Sequence, residues 1–308
     1  MTLPTRSDIE SAAARLGEKI RHTPTLVLHG DELGVPFRVV LKLELLQHTG
    51  SFKARGALNS VMSLDTGVLG VVAASGGNHG AAVAWAAQRA GLTADVFVPS
   101  TATPAKLERI REYGARLHPV EGDVGDALAA CHELSEREGV PVVHPYDTYE
   151  TVSGAGTLGL EVVDAVPDAA QVLLGCGGGG LYAGVVAAVD GRVPVQPVET
   201  ELCPHLHVAR EAGHPVPHAS AGSAADSLGP PQVGRLAFET AESQGTTSLL
   251  VTEEELLAAR RFLWQRVRVL AEPGAAVALA AVMAGKVAAD PGATLVVVVS
   301  GGNNPAIP

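Results

Sequence analysis

Along almost the whole chain, short β-branched runs alternate with Ala-rich runs of helical period, the pattern of repeated βαβ units built on parallel sheets. One series starts with a strand at 70–74, passes through a helix at 81–89 and a strand at 94–98, and enters a helix opened by Thr103-Pro104, proline taking its favoured first position. It continues with a strand at 116–120, a helix at 124–138 and a strand at 140–144, which predicts about four strands. A second series predicts a helix at 151–166, a strand at 171–174, a glycine-rich turn, a helix at 181–189 and a strand at 193–198. Residues 205–232, rich in Pro, His and Gly, read as irregular. Beyond them come a strand near 249–251, a helix to about 268 with Thr252 and Glu255 as its capping box, a helix at 275–286 and a strand at 294–299.

Residues before 63 hold a strand at 38–43 and a helix start at Lys53, too little to close a core alone, so they join the second series. The predicted architecture is α/β with two parallel-sheet units: a large one from 1–62 and 147–308, and a smaller one, 63–146, inserted in it. Ligands commonly bind in the cleft between two such units.

Composition narrows the function. With 308 residues, 46% of them apolar, the chain can bury a substantial core, and 35 glycines with only 18% charged residues suit tightly wound strand-to-helix turns. A net charge of -11 argues against nucleic acid as a partner. Cys131, Cys176 and Cys203 are odd in number and lie in no C-x-x-C spacing, so neither a disulfide framework nor a zinc site is signalled and a reducing, cytoplasmic setting is expected. The N-terminus lacks the apolar segment of a signal peptide, and the aliphatic run at 295–299 is far too short to span a bilayer, so no membrane association is expected.

The chemistry starts at Lys53, in Ser51-Phe52-Lys53-Ala54-Arg55-Gly56. A lysine used as a nucleophile must be partly desolvated so that its neutral amine can form an imine; an exposed helix-start lysine needs no such neighbours. Which of the two Lys53 is depends on what the other loops supply. Gly175-Cys176-Gly177-Gly178-Gly179-Gly180 follows an apolar strand and precedes a helix, so its N–H groups can converge on an anion. The same loop satisfies G-x-G-x-x-G at Gly175, Gly177 and Gly180, with Glu199 ending the next strand, which keeps a nicotinamide or flavin enzyme open. Ser75-Gly76-Gly77-Asn78-His79-Gly80 can hold a carboxylate on its N–H groups, with the Asn78 amide able to meet a phenolic oxygen. Ser300 ends the last strand, where α/β sheets place ligand-binding groups, and offers a hydroxyl to a ring nitrogen. An amine, an anion cradle, a carboxylate loop and a hydroxyl for a heteroaromatic nitrogen together describe pyridoxal phosphate carrying an amino acid.

At these four motifs, in this order and over nearly its whole length, the chain resembles the serine/threonine dehydratase and serine racemase family of pyridoxal-phosphate enzymes. The resemblance implies a tryptophan synthase β-subunit-like fold (fold type II) and a homodimer. It implies that Lys53 forms the imine and transfers the proton, that Phe52 and Asn78 flank the cofactor, that Gly177, Gly178, Gly179, Gly180 and Leu181 hold its phosphate, and that Ser300 meets its ring nitrogen. Ser75, Gly76, Gly77, Asn78 and His79 would take the substrate carboxylate.

The implied activity is β-elimination of L-threonine and/or L-serine to a 2-oxo acid and ammonia, with serine racemase and 3-hydroxyaspartate dehydratase as alternatives in the family. Racemases similar to this chain carry a second serine where Gly76 stands, so little racemisation is expected. Relatives also bind a divalent cation. Glu199 and Cys203 match two of its positions, but His205 stands where a carboxylate is expected and reads as a solvated residue, which leaves a divalent or monovalent cation undecided. The chain ends at Pro308, soon after the Ser300 motif, so no amino-acid-sensing domain is expected.

Overall fold

A computed structural model describes residues 2–100, 102–304 and 306–308. Nine strands are found among them: β1 Thr25–Leu28, β2 Arg38–Leu43, β3 Gly70–Ala74, β4 Thr93–Pro99, β5 Arg116–Val120, β6 Ala169–Gly175, β7 Val195–Thr200, β8 Leu249–Val251 and β9 Thr294–Val299. They form a six-stranded sheet in the order β1-β2-β9-β6-β7-β8 and a three-stranded sheet in the order β3-β4-β5. All pairs are parallel except β1 with β2.

The run Thr294-Leu-Val-Val-Val-Val299 is apolar without alternation because β9 is covered on both faces. Leu295, Val297 and Val299 join one core with the helix Pro273–Met283. Val296 and Val298 join the opposite core with the helices Tyr149–Ala165 and Gly180–Val189. Those two helices meet through glycine: a Cβ on Gly156 would lie 2.5 Å from the Gly184 carbonyl oxygen. The α/β architecture with two parallel-sheet units is the expected fold class. Among the described residues no helix is long and apolar enough to cross a membrane.

Three local expectations are corrected. Residues 140–144 do not form a fourth strand; only Val142 bridges to Val72. Pro141 accepts a bond from the Val72 N–H through its carbonyl, but it has no N–H to extend a ladder. The stretch 205–232 is not wholly irregular, since it contains the helices His205–Ala212 and Ala225–Leu228. The first is capped by Glu199 from the end of β7, a long-range contact invisible in the local pattern. The N-terminal region also contributes more than one strand. Its helix Arg6–Leu16 buries Ile9, Ala12 and Leu16. The Thr252/Glu255 capping box is present, and the helix it opens, Glu253–Phe262, runs on as a wider π-turn over Leu263–Val267.

Candidate active site

The loops after β3, β6 and β9 and the start of the helix Lys53–Met62 converge between the two sheets. They enclose a cavity of about 320 Å³ lined by Phe52, Lys53, the 75–79 loop, the 177–181 loop and Ser300. Every proposed cofactor and carboxylate residue therefore borders one space, at the carboxyl ends of strands where open α/β sheets bind ligands.

Lys53 opens its helix directly after Phe52, whose N–H donates to the Ser300 carbonyl at 3.0 Å. This bond ties the lysine to the end of β9. Two residues on, Arg55 is buried with Glu44: its Nε and Nη2 donate to the two carboxylate oxygens at 2.9 and 2.7 Å, and its Nη1 lies 2.7 Å from Glu161. Removing one partner from such a buried set costs about 3–5 kcal/mol, so the network holds the lysine helix in one orientation. The Lys53 amine donates to the Pro145 carbonyl at 2.6 Å and lies 5.0 Å from the Phe52 ring centre. Burial pulls its pKa down to about 8, against the attraction of Glu272, which pulls the other way. A neutral amine is accessible there near physiological pH.

The glycine run is demanded by its neighbours as well as by any ligand. A Cβ on Gly178 would lie 2.3 Å from the Tyr146 ring, on Gly177 2.9 Å from Leu228 Cα, and on Gly179 2.3 Å from Ala237. Gly179 also has φ 80°, open only to glycine at low cost. Within this packing the N–H groups of Gly177, Gly178, Gly179, Gly180 and Leu181 meet no acceptor among the described residues, and the helix Gly180–Val189 adds its N-terminal dipole. The Ser300 hydroxyl likewise borders the cavity without a partner among the described residues.

The 75–79 loop is arranged differently. The Gly77 N–H is taken by Ser75 Oγ at 3.2 Å, while Asn78 and His79 begin the helix Asn78–Ala90. Asn78 Nδ2 donates to Glu272 Oε1 at 2.8 Å. The His79 imidazole bonds the Val143 carbonyl through Nε2 at 2.8 Å, and burial drags its pKa to about 3, so it stays neutral. His79 thus offers the cavity its backbone, not a cation. Sequence reasoning missed Glu272 and Tyr146. Neither lies in a glycine motif, although Glu272-Pro273 at a helix start and Pro145-Tyr146 before one were visible as turns.

Comparison with known proteins decides among the chemistries this cavity allows. A family model described as "Pyridoxal-phosphate dependent enzyme" matches residues 17–301. The chain belongs to that family. A phenylserine dehydratase from Ralstonia pickettii is 37% identical, over 99% of this chain and 95% of that relative. An L-threonine ammonia-lyase from Geobacter sulfurreducens is 36% identical, over 96% of this chain and 74% of that relative. Among solved structures, a threonine deaminase from T.th. superposes with a TM-score of 0.92 at 33% identity, covering 99% of this chain and 100% of that one. Maize serine racemase gives 0.92 at 26%, covering 98% and 94%. The fold is thus that of the tryptophan synthase β-like, type II pyridoxal-phosphate enzymes, and the relatives place the chain among the family's lyases.

The cofactor of this family is pyridoxal phosphate, and the cavity fits it. It offers an amine for the carbonyl, a row of unused amides for the phosphate and an unpartnered hydroxyl for the ring nitrogen. Glu199 and Cys203 do not border this cavity. Glu199 accepts from the Leu206 and His207 N–H groups at 2.8 and 2.9 Å and from Ser248 Oγ at 2.5 Å, and burial pushes its pKa up to about 7. Its oxygens are occupied in capping a helix, as they would not be in a ribose-binding acid. Cys203 Sγ faces the Ala221 carbonyl at 3.4 Å. His205 corrects the expectation of a solvated residue: it is fully buried, with Nε2 2.9 Å from Ser220 Oγ, because the helix Glu199 caps turns it inward. Among the described residues no group of three His, Cys, Asp or Glu side chains is placed to hold a metal ion.

Proposed function

We propose that this lyase eliminates the β-hydroxyl of a β-hydroxy amino acid, L-threonine and/or L-serine, giving a 2-oxo acid and ammonia. The observation that carries the reading is the Lys53 amine, drawn to a pKa of about 8 inside the same cavity as the free amides and the Ser300 hydroxyl. When bound, pyridoxal phosphate supplies the carbonyl that captures the substrate amine and the electron sink that acidifies its α-carbon. Lys53 Nζ first holds the cofactor; once displaced by the substrate, it takes the proton from Cα. The Pro145 carbonyl, 2.6 Å away, keeps that nitrogen aimed. The Cβ–O bond then breaks, the hydroxyl leaves as water after gaining a proton, and the released enamine hydrolyses to the 2-oxo acid and ammonia.

In this reading the N–H groups of Gly177, Gly178, Gly179, Gly180 and Leu181 hold the phosphate, and Phe52 and Asn78 flank the ring. The 75–79 loop holds the substrate carboxylate. Ser300 places a hydroxyl, not a carboxylate, at the ring nitrogen, which leaves that nitrogen less protonated and favours elimination over chemistry needing a long-lived carbanion. Gly76 brings no acid to the α-carbon, which supports elimination over racemisation.

A second reading of the substrate has its own support. Pro99, Ala102, Val124, Leu128, Leu228 and Pro230 give the cavity an apolar wall, and a 37% identical relative is named a phenylserine dehydratase. Such a wall suits a larger apolar β-substituent than threonine's methyl, while a methyl alone discriminates only modestly. The deciding experiment follows 2-oxo acid release from L-threonine, L-serine, L-threo-phenylserine and 3-hydroxyaspartate. Threonine or serine turning over best supports the first reading, phenylserine the second. Release of no 2-oxo acid from any of them by protein loaded with cofactor ends both. The units 1–62 with 147–308 and 63–146 form part of this proposal, as does a homodimer, which a solution mass measurement would test.

A further inference from the structure

One chain of hydrogen bonds spans the cleft, and the reaction above uses only its middle member. Arg109, on the helix Pro104–Glu112 that follows β4, donates through Nη1 to Asn303 Oδ1 and through Nη2 to the Thr49 carbonyl at 2.9 Å. Asn303 Nδ2 donates to the same carbonyl at 2.8 Å and to Asn78 Oδ1 at 2.6 Å. Asn78 Nδ2 donates to Glu272 Oε1 at 2.8 Å, and the Asn303 N–H lies 3.3 Å from Glu272 Oε2. Arg109 and Asn78 come from the three-stranded side; Thr49, Glu272 and Asn303 come from the six-stranded side.

Amide oxygen and nitrogen have nearly the same shape, so the direction of such a chain is set by groups that can only donate or only accept. A guanidinium only donates. Facing it, Asn303 must present Oδ1, and the Thr49 carbonyl, which only accepts and is itself held by Arg109, takes Nδ2 in the same sense, leaving the other Nδ2 hydrogen for Asn78. Asn78 must then turn Oδ1 toward Asn303 and Nδ2 toward Glu272. One Nδ2 hydrogen goes to Glu272, and the other remains. At the other end the Glu272 carboxylate, its pKa raised by burial, accepts from Asn78 in the same sense. Arg109 is the obligate donor.

The backbone carries strain for the same contacts. Thr49, β-branched and buried, has φ 59°, and Gly50 follows at 69°. A threonine in the left-handed region is disfavoured and persists where its surroundings hold it. Here the consecutive left-handed pair turns the Thr49 carbonyl toward both Arg109 and Asn303. A Cβ on Gly50 would lie 2.3 Å from Asn303 Oδ1 and 3.0 Å from Arg109 Nη2.

We infer that Arg109 is a positioning residue: acting through Asn303 and the Thr49 carbonyl that both bond, it fixes the polarity of the Asn78 amide so that an N–H, and not the oxygen, is left for the cofactor's phenolic oxygen. This rests on the cofactor site proposed above. An oxygen presented there would repel the phenolate that an N–H stabilises. Arg109→Met, Arg109→Lys and Asn303→Asp, each loaded with pyridoxal phosphate, test it. Arg109→Met and Asn303→Asp should shift the visible absorbance of the bound cofactor and the pH at which it titrates. They should also lower kcat about 10-fold with KM within about 2-fold, the loss of one charge-assisted hydrogen bond in the reaction.

Arg109→Lys keeps a donor and should restore most of both readouts. A purely structural role would lower the melting temperature of both Arg109 variants and leave the absorbance of the folded protein unchanged. Should Arg109→Met fail to fold, Asn303→Asp decides, because it retains a partner for Arg109 while losing the donor to Asn78. Wild-type spectra and kcat in Arg109→Met, or in Asn303→Asp where only that variant folds, overturn the inference and leave the site reading standing. A wild-type protein that never develops a visible band overturns both.

Discussion

The two glycine loops of the cleft look alike in sequence and differ in what surrounds them. In the 175–180 loop the protein itself fills the space a side chain would need, with Tyr146, Leu228 and Ala237 each under 3.0 Å from a hypothetical Cβ. In the 75–80 loop the crowding is uneven: a Cβ on Gly80 would lie 2.2 Å from the Ser75 carbonyl oxygen and one on Gly76 2.9 Å from Ala102 Cβ, but Gly77 would meet nothing nearer than Ser75 Oγ at 4.0 Å. The first loop is a seat fixed by packing along its middle; the second is anchored at Gly80 and leaves a mouth open at Gly77 on the small-sheet side. A fixed seat suits a cofactor that stays. An open mouth suits a substrate that comes and goes.

The largest effect should come from removing what the seat serves. Lys53→Ala should abolish the visible absorbance of the cofactor and turnover together, and a turning-over variant without added amine would sink the assignment. The amine also sets a pH dependence. Its folded pKa of about 8 lies below its usual 10.5, so between those values the unfolded chain binds more protons than the folded one. Stability contributed by this group therefore rises as pH climbs through that window, and cofactor capture by cofactor-free protein should speed up as pH approaches about 8. Capture rates independent of pH between 6 and about 9 would contradict a titrating Lys53 as the group that bonds the cofactor.

Next in size is the seat. Gly178→Ala drives a methyl into the Tyr146 ring 2.3 Å away and should cost about 1–3 kcal/mol of stability as well as cofactor affinity. Combining it with Tyr146→Ala should recover much of the stability, since the two are in contact and their effects should not add. Full additivity in thermal melts would show that the loop is not set by that ring. Gly77→Ala, in the mouth, should change stability by less than about 0.5 kcal/mol and show its effect in KM. Equal stability losses at 77 and 178 would erase the contrast between the loops.

The same contrast explains what could be read in advance. The parallel sheets followed from alternating β-branched and Ala-rich runs, and the cavity residues from four glycine or lysine motifs, because both are local in the chain. What escaped was fixed by distant partners. Glu272 matters through Asn78, 194 positions away, and Arg109 through Asn303, also 194 away. The helix at His205–Ala212 depends on the Glu199 carboxylate, and Tyr146 on the fit over Gly178. Local pattern carries no trace of such pairings. His205 escapes for the same reason: a Pro/His stretch looks solvated until a cap from β7 folds it inward.

Gly76, beside the open Gly77 but packed on Ala102, gives the finest test. A Cβ there would sit 2.9 Å from Ala102 Cβ, with Pro99 Cδ at 3.7 Å and Val98 Cβ at 4.0 Å. Gly76→Ser therefore needs the backbone that carries Ala102 to shift, since its Cβ cannot rotate away, a smaller demand than the 2.3 Å approach made at Gly178. In the proposed reaction the added hydroxyl would bring a further proton donor to the 75–79 loop. Wild-type enzyme should form little D-serine from L-serine while releasing the 2-oxo acid. Gly76→Ser should raise the ratio of racemisation to elimination several-fold, with a smaller fall in melting temperature than Gly178→Ala. Comparable D-serine and 2-oxo acid formation by the wild type would mean that some other group already reprotonates the α-carbon. An unchanged ratio in a well-folded Gly76→Ser would place the substrate away from that face of the mouth.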